Sequence, residues 1–229
     1  MGCDYTRPRV PTAVYEAVVF DFDGVLAHPT SGSVLDAAAR KALQAVGVEP
    51  TPRAVSHARS SDLGRVRLLC AAHGLDPARF MTARDECTSA EQARAIADGR
   101  KPTYDDLDAL GALNDQGVAT AIVSNNQQAT IDRFLDLVDL GADLSVAYGR
   151  EPSLDGLRRK KPRPYYLRRA LADLGVGAGE TLYVGDKTKD VLAARAAGAD
   201  AAFVRRPHRE GYRVGATPDH EVRTLHDLP

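Results

Sequence analysis

The sequence has few cysteines and almost no net charge. Only three of its 229 residues are cysteines, Cys3, Cys70 and Cys87. An odd number at no metal-like spacing argues against both a disulfide framework and a zinc site. The formal net charge is −1, so no overall field attracts nucleic acid or an anionic membrane surface. We therefore expect a small-molecule partner, and neither nucleic acid nor membrane.

Long apolar segments are also missing. The chain has no uninterrupted apolar run of the roughly eighteen residues that a membrane span needs. Its N-terminal residues lack the apolar segment of a secretion signal. These absences, together with the few cysteines, favour the reducing cytoplasm. The 44% of hydrophobic residues suffices for one large domain, or for a main domain with an insert.

Short apolar runs typical of β-strands alternate with helical patterns along the chain. Strands are predicted at Ala17–Phe22, Val118–Ser124, Leu144–Ala147, Thr181–Gly185 and Ala201–Val204. Helices are predicted at Tyr104–Gln116, Gln127–Leu137, Pro164–Leu174 and Lys189–Ala197. This alternation predicts an α/β fold, with a mainly parallel sheet and helices on both faces.

The chain between the first two predicted strands is longer than one crossover needs. Residues 30–100 show only helical patterns, interrupted by Gly or Pro. We interpret them as an α-helical domain inserted into a core that comprises residues 1–29 and 101–229. His28-Pro29 and Gly99–Pro102 are then the two linkers. The sequence leaves open whether the protein is a monomer or a homodimer.

Two aspartates, Asp21 and Asp23, end the first apolar run in the segment VVFDFDGV. On a strand they point to the same face, about 6 to 7 Å apart along the backbone. Like charges at this distance repel each other unless a cation lies beside them. A simple turn before Gly24 explains the pair less well, because the first acid still belongs to the buried run.

Further polar residues occur where other strands end, at the edge of a parallel sheet where ligands bind. Ser124 is either a helix N-cap, shared with Asn125 or Asn126, or part of an anion site, and the two interpretations are compatible. Lys161 precedes Pro162 in RRKKPRP, and this position favours Lys161 over Lys160 as the lysine that enters the site.

The segment GDKTKD supplies two more carboxylates. Asp186 directly follows a predicted strand, whereas Asp190 is equally well explained as a first-turn acid favoured by the helix dipole. Asp21, Asp23 and Asp186, with Asp190 as a possible fourth, would converge on a hard cation such as Mg²⁺. A hydroxyl and a lysine beside that cation form a pocket for a dianionic group, most naturally a phosphoryl group.

With these motifs in order, the chain resembles the haloacid dehalogenase (HAD) superfamily. The motifs are DFDGV at residues 21–25, Ser124 after a strand, Lys161 before Pro-x-Pro, and GDKTKD at residues 185–190. The resemblance covers residues 16–205 and implies a HAD-like Rossmannoid parallel sheet. The helical insert resembles the cap of phosphoglycolate phosphatase-like and β-phosphoglucomutase-like members.

The resemblance implies a Mg²⁺-dependent phosphatase that hydrolyses a small phosphorylated metabolite. Asp21 would form an aspartyl-phosphate, and Asp23 would act as general acid and then as general base. Mg²⁺ would be held by Asp21, Asp186 and the backbone carbonyl of Asp23, with Asp190 close by. The substrate phosphate would be bound by Ser124, Asn125 and Lys161. The acid at Asp23 argues against a dehalogenase, because dehalogenases lack it.

Two features differ from many relatives. Lys187 follows Asp186 where a small residue is common, and it points either toward the metal ligands or outward. The segment LAHPT after Val25 lacks the acidic residue that often begins the cap in phosphoglycolate phosphatases, which weakens the case for that substrate. In the cap, at most one of four basic residues is expected to reach the substrate. These are His57, Arg59, Arg65 and Arg67.

Three alternatives remain at this point. A β-phosphoglucomutase-like phosphotransferase would use the same core and return the phosphoryl group to a sugar. A response-regulator receiver also uses an aspartate, a hydroxyl and a lysine, but it is about half this length and has no cap. A protein of the same fold that only binds a phosphorylated ligand would not need both Asp21 and Asp23.

Overall fold

A six-stranded parallel sheet forms the centre of the computed structural model, which describes residues 15–140 and 144–229. The strands are β1 (Ala17–Phe20), β2 (Ala119–Gln127), β3 (Val146–Arg150), β4 (Thr181–Gly185), β5 (Asp200–Val204) and β6 (His220–Val222). Their order is β3-β2-β1-β4-β5-β6, and every neighbouring pair is parallel. The predicted α/β fold is thus confirmed. Cys3 and the start of the predicted core lie outside the described residues.

Four helices lie between β1 and the crossover helix that precedes β2. They are α1 (Gly32–Ala45), α2 (Pro52–Ala58), α3 (Leu63–Ala72) and α4 (Pro77–Ala97). Each begins after a Ser, Thr or Asp whose side chain accepts a backbone N–H of the first turn. The domain boundaries at residues 30 and 100 stay a prediction.

The remaining helices connect the strands of the sheet. They are α5 (Asp108–Asp115), α6 (Gln128–Leu137), α7 (Leu154–Arg159), α8 (Tyr165–Leu174) and α9 (Thr188–Ala197). Apolar residues of α5 and α6 pack on one face of the sheet, and those of α8 and α9 pack on the other. Within the described residues, no helix is long and apolar enough to cross a membrane.

The second strand is longer than the sequence predicts. β2 continues past Ser124 because Gln127 pairs with Arg150 of β3 after a shift of register. Ser124 therefore lies within a strand, and α6 begins only at Gln128, with Gln127 as its N-cap. This corrects the interpretation of Ser124 as a helix cap.

Other elements also differ from the prediction. The helix predicted from Tyr104 begins at Asp108, because the Tyr104 N–H donates to the Leu26 carbonyl at 3.1 Å. β3 lies slightly later than predicted, at Val146–Arg150. The short edge strand β6, with the sequence HEV, is not predicted, since three residues without an apolar run carry no strand signal.

The two predicted linkers lie side by side. The His28 N–H donates to the Pro102 carbonyl at 2.9 Å, and Ala27 forms an antiparallel bridge with Thr103. The chain thus leaves and re-enters the sheet region at one point, which brings residue 101 close to Asp23.

Candidate active site

The candidate site lies at the carboxyl ends of the three central strands. Asp21 follows β1, Ser124 belongs to β2, and Asp186 follows β4. All three residues are buried. Because β1 pairs in parallel with both β2 and β4, these side chains meet at one edge of the sheet.

Three carboxylates form a buried cluster at this edge. Asp21, Asp186 and Asp190 each place one oxygen within 4.8 Å of the others. Asp190 is held there by the first turn of α9, where it accepts the Lys187 N–H at 3.0 Å. A Cβ on Gly185 would lie 2.2 Å from the Asp190 Cβ, so this close approach requires glycine.

Lys161 provides the positive charge at the centre of this cluster. Its Nζ lies 2.9 Å from Asp21 Oδ1 and 2.8 Å from Asp190 Oδ1. Burial disfavours its charge, but the two carboxylates outweigh burial and raise the pKa of Lys161. Lys160, by contrast, pairs with none of these carboxylates, and its Nζ donates to the Ser61 carbonyl.

Asn125 fixes the backbone at Lys161. The Asn125 side chain accepts the Lys161 N–H at 2.7 Å and donates to the Lys161 carbonyl at 3.1 Å. The side-chain amide of Asn125, which was predicted to bind phosphate, thus hydrogen-bonds the backbone of Lys161 and orients that lysine. It still borders the cavity above Asp21.

The Asp21 carboxyl group is strongly biased toward its ionised form. Burial alone would raise its pKa, but the combined field of Lys161, Lys189 and Lys187 outweighs burial and holds the pKa well below its usual value. The Phe22 N–H also donates to Asp21 Oδ1 at 2.8 Å. A buried, ionised carboxylate beside a lysine suits a nucleophile.

The side chain of Asp23 lies outside the carboxylate cluster, in a separate polar network. Lys101 Nζ donates to Asp23 Oδ1 at 2.5 Å, and Asn126 Nδ2 donates to Asp23 Oδ2 at 2.9 Å. Thr30 lies 3.3 Å from the same carboxylate. Burial lowers the pKa of Lys101, and the charge of Asp23 opposes that shift. Lys101 is not predicted from the sequence, where its position in a linker is the only signal.

The sequence left open whether Lys187 points toward the metal ligands or outward. In the structure it points toward them. Its Nζ lies 3.0 Å from Asp186 Oδ1 and 3.4 Å from the backbone carbonyl of Asp23. Two further side chains contact the other oxygen of Asp186. His208 Nε2 lies 2.8 Å and Arg209 Nε 2.9 Å from Asp186 Oδ2. Neither His208 nor Arg209 is predicted from the sequence, because the segment after β5 carries no motif.

The donor set fits a hard divalent cation. Asp186 Oδ1 and Asp190 Oδ1 are buried and accept no hydrogen bond from the described residues, although lysine nitrogens lie nearby. Oxygen atoms from several carboxylates and one carbonyl are the ligands of Mg²⁺ and similar ions. A bound ion would replace the Lys187 ammonium group as the positive charge that contacts Asp186 and the Asp23 carbonyl oxygen.

A cavity of about 430 Å³ opens above these groups. Asp21, Asp23 and Ser124 line this cavity together with residues of the helical insert. Of the four basic insert residues named from the sequence, Arg59 lines this cavity and the other three do not. Contact between Arg59 and the substrate stays a prediction.

The comparisons with known proteins agree with this geometry. A family model for haloacid dehalogenase-like hydrolases matches residues 15–198. The chain belongs to this family. The hydrolase family predicted from the four sequence motifs is therefore confirmed.

Curated relatives of this haloacid dehalogenase-like hydrolase share up to a third of the aligned residues. A phosphoglycolate phosphatase of Rhodospirillum rubrum is 33% identical over 192 residues, which span 80% of this chain and 76% of the relative. A phosphoglycolate phosphatase of Neisseria gonorrhoeae is 29% identical over 187 residues, which span 80% of this chain and 77% of the relative.

Solved structures of similar fold cover nearly the whole chain. CbbY from Rhodobacter sphaeroides in complex with phosphate has a TM-score of 0.70 at 18% identity, covering 93% of this chain and 96% of that one. A HAD phosphatase from Thermococcus onnurineus has a TM-score of 0.61 at 24% identity, covering 93% and 95%. At these identities the likeness establishes the fold.

Proposed function

We propose that the protein is a Mg²⁺-dependent phosphatase that hydrolyses a small phosphate monoester through an aspartyl-phosphate on Asp21. The observation that carries the proposal is the buried Asp21 carboxylate, which faces a cavity and lies 2.9 Å from Lys161 Nζ. The names of the relatives from Rhodospirillum rubrum and Neisseria gonorrhoeae support the same activity.

Mg²⁺ would be held by the side chains of Asp21 and Asp186 and by the backbone carbonyl of Asp23, with Asp190 close by. The buried oxygens of Asp186 and Asp190 that accept no hydrogen bond support this assignment. When bound, the ion supplies positive charge that lets a dianionic phosphate approach the Asp21 carboxylate.

In the first half of the reaction, an oxygen of Asp21 attacks phosphorus and forms the aspartyl-phosphate bond. The ester P–O bond breaks, and the leaving oxygen takes a proton from the Asp23 carboxyl group. Lys161 stabilises the charge on the phosphoryl oxygens, and the Ser124 hydroxyl orients them. Asn125 keeps Lys161 in position through its two bonds to the Lys161 backbone.

In the second half, water attacks the phosphorus of the aspartyl-phosphate while Asp23, now a carboxylate, accepts its proton. The bond between phosphorus and the Asp21 oxygen breaks, which releases inorganic phosphate and restores the free carboxylate. Lys101 and Asn126 hold the Asp23 side chain at 2.5 and 2.9 Å. This fixes the direction from which the proton is exchanged.

The substrate is proposed to be a small phosphorylated metabolite, since the cavity above Asp21 has a volume of about 430 Å³. A cytoplasmic metabolite agrees with the location expected from the sequence. The alternative phosphotransferase would convert a sugar phosphate into its isomer without net release of phosphate.

The test is phosphate release from sugar phosphates, phosphoglycolate, nucleotides and p-nitrophenyl phosphate, with Mg²⁺ or with EDTA. Wild type is compared with Asp21→Asn and with Asp155→Asn, a control at an exposed aspartate. We expect release that needs the metal, is lost in Asp21→Asn and persists in Asp155→Asn. Undiminished release by Asp21→Asn, or isomerisation in place of release, would overturn the proposal.

A further inference from the structure

A second chamber of about 300 Å³ adjoins the cavity above Asp21. The two share several wall residues, among them Arg59 and Lys189. Among the described residues that line the second chamber there are six cationic side chains and no carboxylate. The six are Arg59, Arg84, Arg150, Lys160, Lys161 and Lys189.

Two of the arginines share one buried counter-ion. Arg150 donates two hydrogen bonds to the Asp85 carboxylate, both at 2.8 Å, and Arg84 Nε donates a third at 3.2 Å. All three side chains are buried. Two guanidinium groups and one carboxylate leave one positive charge in excess beside the chamber.

Neither Lys160 nor Lys189 has a carboxylate partner. Lys160 Nζ donates to the neutral backbone carbonyl of Ser61. Lys189 lines both cavities and forms no hydrogen bond or ion pair with any of the described residues, although its field also acts on Asp21, as described above. Burial lowers the pKa of Lys160, and so do Lys189, Arg150 and Arg84, whereas Asp62 acts in the opposite direction. These cations therefore lie close enough to repel one another, and a bound anion would remove that repulsion.

A solvated basic surface would not produce this arrangement. A surface lysine turns its ammonium group toward water, whereas Lys160 and Lys189 are half-buried and line a partly open chamber that shares wall residues with the cavity above Asp21. Arg59 already has a carboxylate partner, Asp36, at 2.6 Å. The excess charge therefore belongs mainly to the two lysines and the arginine pair.

Resting on the phosphatase function proposed above, we infer that the substrate is a small bisphosphate. One phosphate is the ester that reacts at Asp21, and the other binds in the second chamber between Lys160 and Lys189. A dianionic phosphate matches an excess of several positive charges better than a carboxylate, which carries only one negative charge. Because Lys189 lines both cavities, the two phosphates would lie close together, and the carbon chain that joins them would be short.

The test is calorimetric binding of three ligands to the Asp21→Asn protein with Mg²⁺ present. The ligands are 1,3-propanediol bisphosphate, 3-hydroxypropyl phosphate and 3-phosphonooxypropanoate, which differ only in the end distant from the reacting ester. We expect the bisphosphate to bind at least about tenfold more tightly than the other two, as one additional charge-assisted contact would give.

A second comparison uses Lys160→Gln and Arg158→Gln in the same protein. Arg158 is an exposed cation of α7, two positions before Lys160, and does not line the chamber. The preference for the bisphosphate should fall in Lys160→Gln and persist in Arg158→Gln. Equal binding of the three ligands, a tight carboxylate ligand, or a preference unchanged in Lys160→Gln would each overturn the inference. Turnover by wild type tests the phosphatase proposal separately, since these binding measurements need no turnover.

Discussion

At the scale of single residues, the site depends on lysines whose charges offset a dense group of aspartates. Lys161 lies between Asp21 and Asp190, and Lys101 holds Asp23. The acids beside Lys161 are suited to act as nucleophile and metal ligands, whereas Asp23, beside Lys101, is suited to proton transfer. This division assigns Asp21 and Asp23 different chemistry although they are two positions apart.

Gly24 offers a direct test of how tightly this site is packed. Its φ is +90°, and a Cβ there would lie 2.2 Å from Asp186 Oδ2. Gly24→Ala should lower kcat/KM at least about tenfold, because it displaces the proposed metal ligand Asp186. The measurement is phosphate release together with the free energy of unfolding.

Gly47→Ala is the matched control for this substitution. Gly47 has a φ of +78°, but nothing lies within 4 Å of its Cβ position. The control carries the same backbone strain and should keep its kcat/KM. Equal losses of activity in the two variants would show that strain, and not contact with Asp186, is the cause.

Which site residues could be predicted from the sequence depends on where they lie in the chain. Asp21, Ser124 and Asp186 come at or near the ends of the strands predicted from the sequence, and parallel strands bring their ends to one edge. Lys101 contacts Asp23 across 78 positions, and only the pairing of the two linkers brings them together. His208 and Arg209 follow β5 in a segment that has neither periodicity nor a motif.

At the scale of secondary-structure elements, α4 and β3 are joined by the buried pair of Asp85 and Arg150. This contact connects a helix of the insert with a strand of the sheet, beside the second chamber. Alternation of apolar runs and helical patterns was enough to predict most strands and helices. It could not predict β6, which is too short, or this contact, which depends on tertiary packing.

Asp85→Asn tests the importance of that connection. The substitution leaves Arg84 and Arg150 buried without a counter-ion, and it should lower the free energy of unfolding by about 3 to 5 kcal/mol. Asp98→Asn is the control, since Asp98 pairs with Arg100 at 3.0 Å with its side chain 52% exposed, and it should cost less than about 1 kcal/mol. Similar losses in denaturant titrations would contradict this account.

At the scale of the whole molecule, Asp106 connects the segment before α5 with the C-terminal part of the chain. It accepts two hydrogen bonds from Arg206, at 2.6 and 2.9 Å, and one from the Leu225 N–H at 2.8 Å. Arg206 also donates to the Val25 carbonyl at 2.8 Å, next to the site. Burial would raise the pKa of Asp106, but these bonds outweigh it and lower the pKa.

The lowered pKa of Asp106 predicts how the free energy of unfolding depends on pH. A carboxyl group whose pKa is lower in the folded state stabilises the protein above its unfolded pKa, about 3.9 for aspartate. That contribution is lost as the pH falls through the folded pKa. The difference in unfolding free energy between wild type and Asp106→Asn should therefore be large at neutral pH and shrink below about pH 4. A difference that stays constant with pH would contradict this assignment.

The central claim, that Asp21 is the nucleophile, is tested most directly by trapping the intermediate. Wild type and Asp21→Asn are mixed with substrate and Mg²⁺, treated with borohydride, which reduces an aspartyl-phosphate to homoserine, and analysed by peptide mass spectrometry. The expected result is homoserine at position 21 in wild type, only when substrate is present, and none in Asp21→Asn. Phosphate release by wild type without modification of residue 21, or modification of another aspartate, would contradict the account.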